Sequence, residues 1–216
     1  LDEVVAQAAL QQTDSQKQAQ ALAPGGAQQQ DKPSFVKVSP FNDYRLEGLK
    51  MDPPKELCPH ILVEHETTIL FSGPGVGKTA LAMQIAFDLA EQGMRVLVVN
   101  FELSQQQLAL RYPNKEFPNT LYHASIDYTK MHDVTDQNLI LPEIERLAVE
   151  RNIELIIIDN FTNLCINSKE AAEAGNIMVK LLAMRMTHNW TMLILAHVPK
   201  RKQGDPLTID DLAGSK

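Results

Sequence analysis

Thr67-Thr68-Ile69-Leu70-Phe71-Ser72-Gly73-Pro74-Gly75-Val76-Gly77-Lys78-Thr79-Ala80 is the stretch from which the fold can be read. Its first part, Thr67 to Phe71, is β-branched and apolar and predicts a strand. Its last part opens a helical pattern, Lys78 to Gln92, with Ala80, Leu81, Ile85, Ala86 and Leu89 on one face and Gly93 to end it. Between the two, Gly73, Gly75 and Gly77 let the backbone curl so that successive N–H groups converge. A helix beginning near Lys78 adds the positive end of its dipole to the same place. Such a cradle suits phosphate. Lys78 is placed to reach β- and γ-phosphate oxygens, and the Thr79 hydroxyl to ligate Mg²⁺. Ser72, Gly73, Pro74, Gly75, Val76, Gly77, Lys78, Thr79 and Ala80 are therefore the expected ATP contacts. Ser72 stands where the strict spacing G-x-x-x-x-G-K-[ST] has its first glycine. A glycine-rich turn that merely joins strand to helix is the competing reading, and the Gly77-Lys78-Thr79 triplet argues against it.

Downstream, strand-length apolar runs alternate with helix-length amphipathic stretches, the pattern of a parallel sheet with helical crossovers. Strands are expected at Arg95 to Phe101, Asn119 to Ala124, Glu154 to Asp159 and Thr191 to Ala196. Helices are expected at Gln105 to Tyr112, capped by Ser104, and at Leu139 to Asn152 and Ala171 to His188. The nearly unbroken apolar runs imply strands buried on both faces. The fold class is α/β, a mostly parallel sheet with helices on both sides.

Leu155-Ile156-Ile157-Ile158-Asp159 ends such a strand in an acid. Open α/β sheets bind ligands at the carboxyl ends of their strands, so Asp159 would hold Mg²⁺ beside Thr79. An Asp in this place also serves as a cap or turn residue; the upstream phosphate loop favours the metal. Asn160 rather than Glu follows it, so another carboxylate has to orient an attacking water. Glu102, at the tip of the strand after the phosphate-loop helix, is the candidate, against the plainer reading of a solvated loop carboxylate.

At this point the residues resemble a known group. Phe101-Glu102-Leu103-Ser104-Gln105-Gln106-Gln107-Leu108-Ala109-Leu110-Arg111 is similar to the segment after the second core strand of DnaB-type replicative helicases, which are RecA-like P-loop ATPases. Ile157-Ile158-Asp159-Asn160-Phe161 resembles their Walker B region. Leu193-Ile194-Leu195-Ala196-His197 matches the strand whose polar tip senses the γ-phosphate. That tip is usually Gln; His197 is closer to RepA-type plasmid helicases, as is the tail from Val198-Pro199-Lys200-Arg201 to Asp211-Leu212-Ala213-Gly214-Ser215-Lys216. The resemblance covers about residues 60–216. It implies ATP hydrolysis with Mg²⁺, catalytic roles for Lys78, Glu102 and His197, a ring of identical copies (a hexamer), and single-stranded DNA as partner. Related cores continue with more strands, so the sheet is expected to be incomplete here.

Other features leave alternatives open. His197 can equally be a packed residue with one hydrogen bond. His60, His65, His123, His132 and His188 have no ligand-like spacing. Lys200-Arg201-Lys202 has three readings: a solvated charge run, a cationic finger reaching a neighbouring subunit's γ-phosphate, or a nucleic-acid contact. Thr162 to Gly175 lies where related helicases carry a DNA-contacting loop, yet it holds only Lys169 as a base.

Residues 1–34, rich in Gln and Ala, read as a disordered arm or linker, residues 35–66 as a lead-in packing on the core, and 67–216 as the ATPase core. The linker and the start at Leu1 suggest a fragment preceded by another domain. A net charge of −7 argues against a surface coated in positive potential, though a few basic residues in one groove still track phosphates. Cys58 and Cys165, far apart and without metal-ligand spacing, favour a reduced cytoplasmic setting. No apolar run reaches the roughly 18 residues a membrane span needs. The start also lacks the basic and apolar regions of a signal peptide. Among functions, an ATP-driven translocase or helicase and a regulatory or loading ATPase fit best. A P-loop kinase is disfavoured by the place of Glu102 and the lack of an Arg-rich lid, a GTPase by the lack of an Asn/Thr-Lys-x-Asp motif.

Overall fold

The computed structural model describes residues 35–130, 137–165 and 171–198. The chain divides into two compact units, Leu1–Asp52 and Pro53–Lys216. In the first, helix α1 (Phe41–Gly48) starts after Pro40 and buries none of its residues. The unit boundary falls inside the expected lead-in segment, whose second half belongs with the sheet.

In the second unit, a two-stranded antiparallel ribbon, β1 (Glu56–Cys58) and β2 (Leu62–Val63), precedes the main sheet. There follow β3 (Thr67–Ser72), α2 (Lys78–Glu91), β4 (Val96–Asn100), α3 (Gln105–Arg111), β5 (Leu121–Ser125) and a 3₁₀ turn at Tyr128–Lys130. Next come α4 (Gln137–Glu150), β6 (Leu155–Asp159), α5 (Phe161–Leu164), α6 (Ala171–His188) and β7 (Thr191–His197). The five long strands pair in the order β3-β7-β6-β4-β5, and every pair is parallel.

The unbroken apolar strands are explained by two cores, one on each face of the sheet. Alternate residues divide between them. Leu97, Val99, Ile156, Ile158, Met192 and Ile194 pack with Leu141 and Ile144 of α4 and Leu181 and Met184 of α6. Val96, Val98, Leu155, Ile157, Leu193 and Leu195 pack with Ala82, Ile85, Ala86 and Leu89 of α2. The expected face of α2 needs correction here. Ala80 and Leu81 are exposed, while Ala82 and Ala90 are buried. Lys78 itself takes an inward position, and 78, 82, 85 and 89 are the residues that follow it down one stripe.

Three helices feed the sheet through the same device. α2, α4 and α6 end in a left-handed residue: Gly93 (φ 95°), Asn152 (φ 51°) and Asn189 (φ 56°). In each, the next residue's N–H reaches back to a carbonyl of the last turn: Met94 to Leu89 at 3.1 Å, Ile153 to Ala148 at 2.9 Å, Trp190 to Arg185 at 3.1 Å. The chain then enters β4, β6 or β7 almost at once. Ser104 caps α3 as expected, its Oγ accepting from Gln107 N–H at 3.2 Å while Gln107 Oε1 accepts from Ser104 N–H at 2.9 Å.

Substitutions at two positions separate these contributions. Ile157→Ala, at a fully buried position in the central strand, should cost about 2–5 kcal/mol. Asn152→Ala should cost only about 1 kcal/mol, and Asn152→Gly less, because only the left-handed backbone is at stake. Urea denaturation of the three variants checks both.

Candidate functional site

Strand register assembles the site. Ser72 at the end of β3 lies opposite His197 at the end of β7; Asp159 at the end of β6 lies opposite Leu195 of β7 and Asn100 of β4. All are carboxyl ends, the edge where such sheets bind ligands. Beyond Ser72 the chain turns through Gly73–Gly77, with Gly75 at φ 75° and Gly77 at φ 98°. A Cβ at either would meet nothing within 4 Å, so the backbone conformation requires glycine and the space does not. Ser72 is still strand, which explains why a glycine is not needed there.

Lys78 is only 8% exposed. Its Nζ donates to Ser72 O at 2.8 Å, Ser72 Oγ at 3.0 Å and Gly73 O at 3.0 Å, and lies 3.2 Å from His197 Nδ1. Burial lowers its pKa, partly offset by the negative charges of Asp159 and Glu102. An ammonium can only donate, so in the arrangement that uses the Lys78 contact His197 Nδ1 accepts and Nε2 carries the proton. Nε2–H then donates to Glu102 Oε1 at 3.2 Å.

Glu102 stands two residues past β4, and its backbone is held by Asn100. Asn100 Oδ1 accepts from the N–H groups of Glu102 at 2.9 Å and Leu103 at 3.0 Å, and its Nδ2 donates to Leu103 O at 2.9 Å. Phe101 N–H extends the pairing of β4 to Asp159 O at 2.8 Å. The Glu102 carboxylate also accepts from Asn163 Nδ2 at 3.3 Å and from Asn160 Nδ2. Asn160 follows Asp159 through a cis peptide bond and caps α5, its Oδ1 accepting from Asn163 N–H at 2.9 Å.

Asp159 is 6% exposed, and burial raises its carboxyl pKa, opposed by a hydrogen bond from Thr79 and reinforced by Glu102. The Thr79 hydroxyl and the Asp159 carboxylate thus form a close pair of hard oxygen donors. Among the described residues, no group of three His, Cys, Asp or Glu could hold a metal. The pair fits Mg²⁺ nonetheless, an ion that keeps waters and takes further oxygens from bound phosphates.

Of the residues picked from sequence, Ser72, Lys78, Thr79, Glu102, Asp159 and His197 come together, while Pro74, Gly75, Val76, Gly77 and Ala80 line the exposed loop and helix start. Lys200, Arg201 and Lys202 lie outside the described residues, as do 166–170 of the segment after Asp159. Sequence reasoning missed Asn100 and Asn163, and registered Asn160 only as a residue that is not Glu. The available signal was an Asn at or just past a strand end, a place where its side chain commonly bonds backbone N–H groups.

A parallel sheet carrying a glycine-rich phosphate loop, its Lys and Thr and a strand-end acid defines a RecA-like P-loop NTPase, an ATPase domain of the α/β class. More particularly, the chain belongs to the AAA domain family (AAA_25), which matches residues 32–203. It is similar to DNA repair protein RadA of Campylobacter jejuni, 28% identical over 146 residues, covering 64% of this chain and 30% of that protein. The RadA of Synechocystis is 30% identical over 144 residues, 61% of this chain and 28% of its own length. The chain spans under a third of these curated relatives. Its fold matches the crystal structure of a KaiC-like protein from Pyrococcus horikoshii with a TM-score of 0.53 at 18% identity, over 64% of each chain.

The raised pKa of Asp159 has a consequence for stability. The folded state holds this proton more tightly than the unfolded chain, so the stabilisation present in acid is lost as pH rises through the folded pKa. Asp159→Asn should therefore raise the melting temperature of the nucleotide-free protein at neutral pH by about a few degrees. The difference should shrink as the buffer is acidified, and melting curves over a pH series measure it.

Proposed function

We propose that this domain is an ATP-driven motor acting on single-stranded DNA as a ring of copies, a hexamer, and that it serves as helicase or translocase of a plasmid, phage or other mobile element. The observation carrying the proposal is the hydrogen-bonded line from Lys78 through His197 to Glu102. It joins the phosphate-loop amine to a carboxylate through the tip of a third strand.

In this reading the loop N–H groups of Gly73 to Gly77 and the start of α2 receive the phosphates, and Lys78 contacts their β- and γ-oxygens. Thr79 and Asp159 would hold Mg²⁺, whose charge would offset that of the phosphates. Glu102 orients a water whose oxygen bonds to the γ-phosphorus as the bond to the bridging oxygen breaks. ADP leaves with that electron pair, and the water's proton passes to Glu102. His197, touching both Lys78 and Glu102, reports the γ-phosphate to the carboxylate. The DNA partner is supported by the RadA relatives being DNA repair proteins and by the likeness of the segments around Glu102, Asp159 and His197 to DnaB-type and RepA-type helicases. Lys200, Arg201 and Lys202 would act on a neighbour's nucleotide or on DNA phosphates. A cytoplasmic setting accords with this role; among the described residues no helix is long and apolar enough to cross a membrane.

Lys78→Ala should abolish ATP binding. Glu102→Gln should bind ATP as the wild type does and lose about 10²–10⁴-fold in turnover. Single-stranded DNA should raise wild-type ATPase turnover severalfold. Flat turnover with DNA and RNA, in protein shown to be assembled, would favour the alternative, a regulatory or loading ATPase that switches partners without unwinding.

A further inference from the structure

The hydrogen bonds at Glu102 are asymmetric. Among the described residues, three side-chain donors reach its carboxylate: Asn160 Nδ2, Asn163 Nδ2 at 3.3 Å and His197 Nε2 at 3.2 Å. All three meet Oε1, and none of them meets Oε2. A carboxylate offers about four acceptor positions, two on each oxygen. Oε1 is thus fully engaged, and the acceptor capacity that remains is on Oε2.

The donors are themselves fixed. Asn160 is fully buried, and its Oδ1 is committed to capping α5 through Asn163 N–H. That leaves its Nδ2 for Glu102. Asn100 pins the backbone of Glu102 from the other side. Two of the donors are amides and the third is the ring of His197. Such groups orient a carboxylate without the added positive charge that a Lys or Arg would bring, and that charge would weaken it as a base.

We propose that Asn160 and Asn163 are positioning residues whose amides anchor Glu102 by Oε1, so that Oε2 is the oxygen that orients the attacking water and receives its proton. This rests on Glu102 being the hydrolytic carboxylate. The role of the amides is geometric: holding a base within a fraction of an ångström of its productive position is what separates fast from slow proton transfer.

The test compares ATP turnover and the Kd of a fluorescent ATP analogue for the full chain, Glu102→Gln, Asn163→Ala, Asn163→Asp and Asn160→Ser. Asn163 is half-buried and outside the apolar core, so changing it opens no core, and Ser at 160 can keep the cap of α5 while losing the amide. Asn163→Ala and Asn160→Ser should lower kcat about tenfold with Kd unchanged within about twofold. Asn163→Asp should be slower still at pH 8 and recover as pH falls, because a protonated acid donates where the amide did. The other ionisable groups of the site are common to Asn163→Asp and the wild type, so the ratio of the two pH profiles isolates residue 163. Wild-type kcat in Asn163→Ala and Asn160→Ser, or a pH-flat ratio for Asn163→Asp, with Glu102→Gln inactive, overturns the clamp and leaves Glu102 in its role. Full turnover in Glu102→Gln overturns both.

Discussion

An ammonium group that is 8% exposed must be surrounded by acceptors, and the whole site is arranged to surround Lys78. Its four contacts come from three separate pieces of chain: the end of β3, the glycine turn and the tip of β7. They can meet only if β3 and β7 pair with Ser72 opposite His197, and only if α2 begins directly after the left-handed Gly77. Shifting either strand by one residue would turn its inward side chains to the other face. The apolar alternation that fills the two cores and the polar tips that hold the amine are therefore one constraint. From Lys78 the consequences run outward. Its Nζ lies against His197 Nδ1, His197 Nε2 lies against Glu102, and Glu102 is shared with Asn160 and Asn163 on the element that follows Asp159.

Much of this was legible in the sequence, for definite reasons. The phosphate loop was readable because glycine spacing and a Gly-Lys-Thr triplet leave few other structures. The strands were readable because burial on both faces leaves no polar interruptions from Val96 to Val99 or from Leu155 to Ile158. Gly93 was visible as a helix stop, whereas Asn152 and Asn189 were not, since Asn is compatible with many other positions while glycine advertises the left-handed conformation. The stripe of α2 was misjudged because it was drawn through Ala80 and Leu81, without Lys78. Here the lysine faces in, and the alanines at 82 and 90 bury with it. The contacts of Asn160 and Asn163 with Glu102 escaped notice because they exist only once β4 and β6 are side by side, residues 58 and 61 apart having no local pattern to reveal them, whereas Asn100 bonds its near neighbours and only its place at a strand end hinted at it.

The site also keeps two charges where solvent is scarce. Burial works against both the Lys78 ammonium and the Asp159 carboxylate, which is a cost carried by the protein without nucleotide. Functional sites commonly hold such unfavourable groups because the ligand they are shaped for relieves them. Phosphates would give Lys78 an anionic partner, and a divalent cation would give one to Asp159. The line of contacts also leaves the site. His197 N–H meets Thr162 Oγ1 at 3.4 Å on α5, next to Asn163 and at the start of the segment expected to face DNA. In the proposed motor that contact would link the γ-phosphate position to the segment.

The central claim is that Lys78, His197 and Glu102 form one line of hydrogen bonds with a defined direction of proton donation. The ¹⁵N chemical shifts of the His197 imidazole in the nucleotide-free protein at pH 8, assigned against His197→Gln, test it most directly. The account predicts the neutral ring with the proton on Nε2 and a bare Nδ1. A proton on Nδ1 would contradict it, because the Lys78 ammonium could not then be that nitrogen's partner.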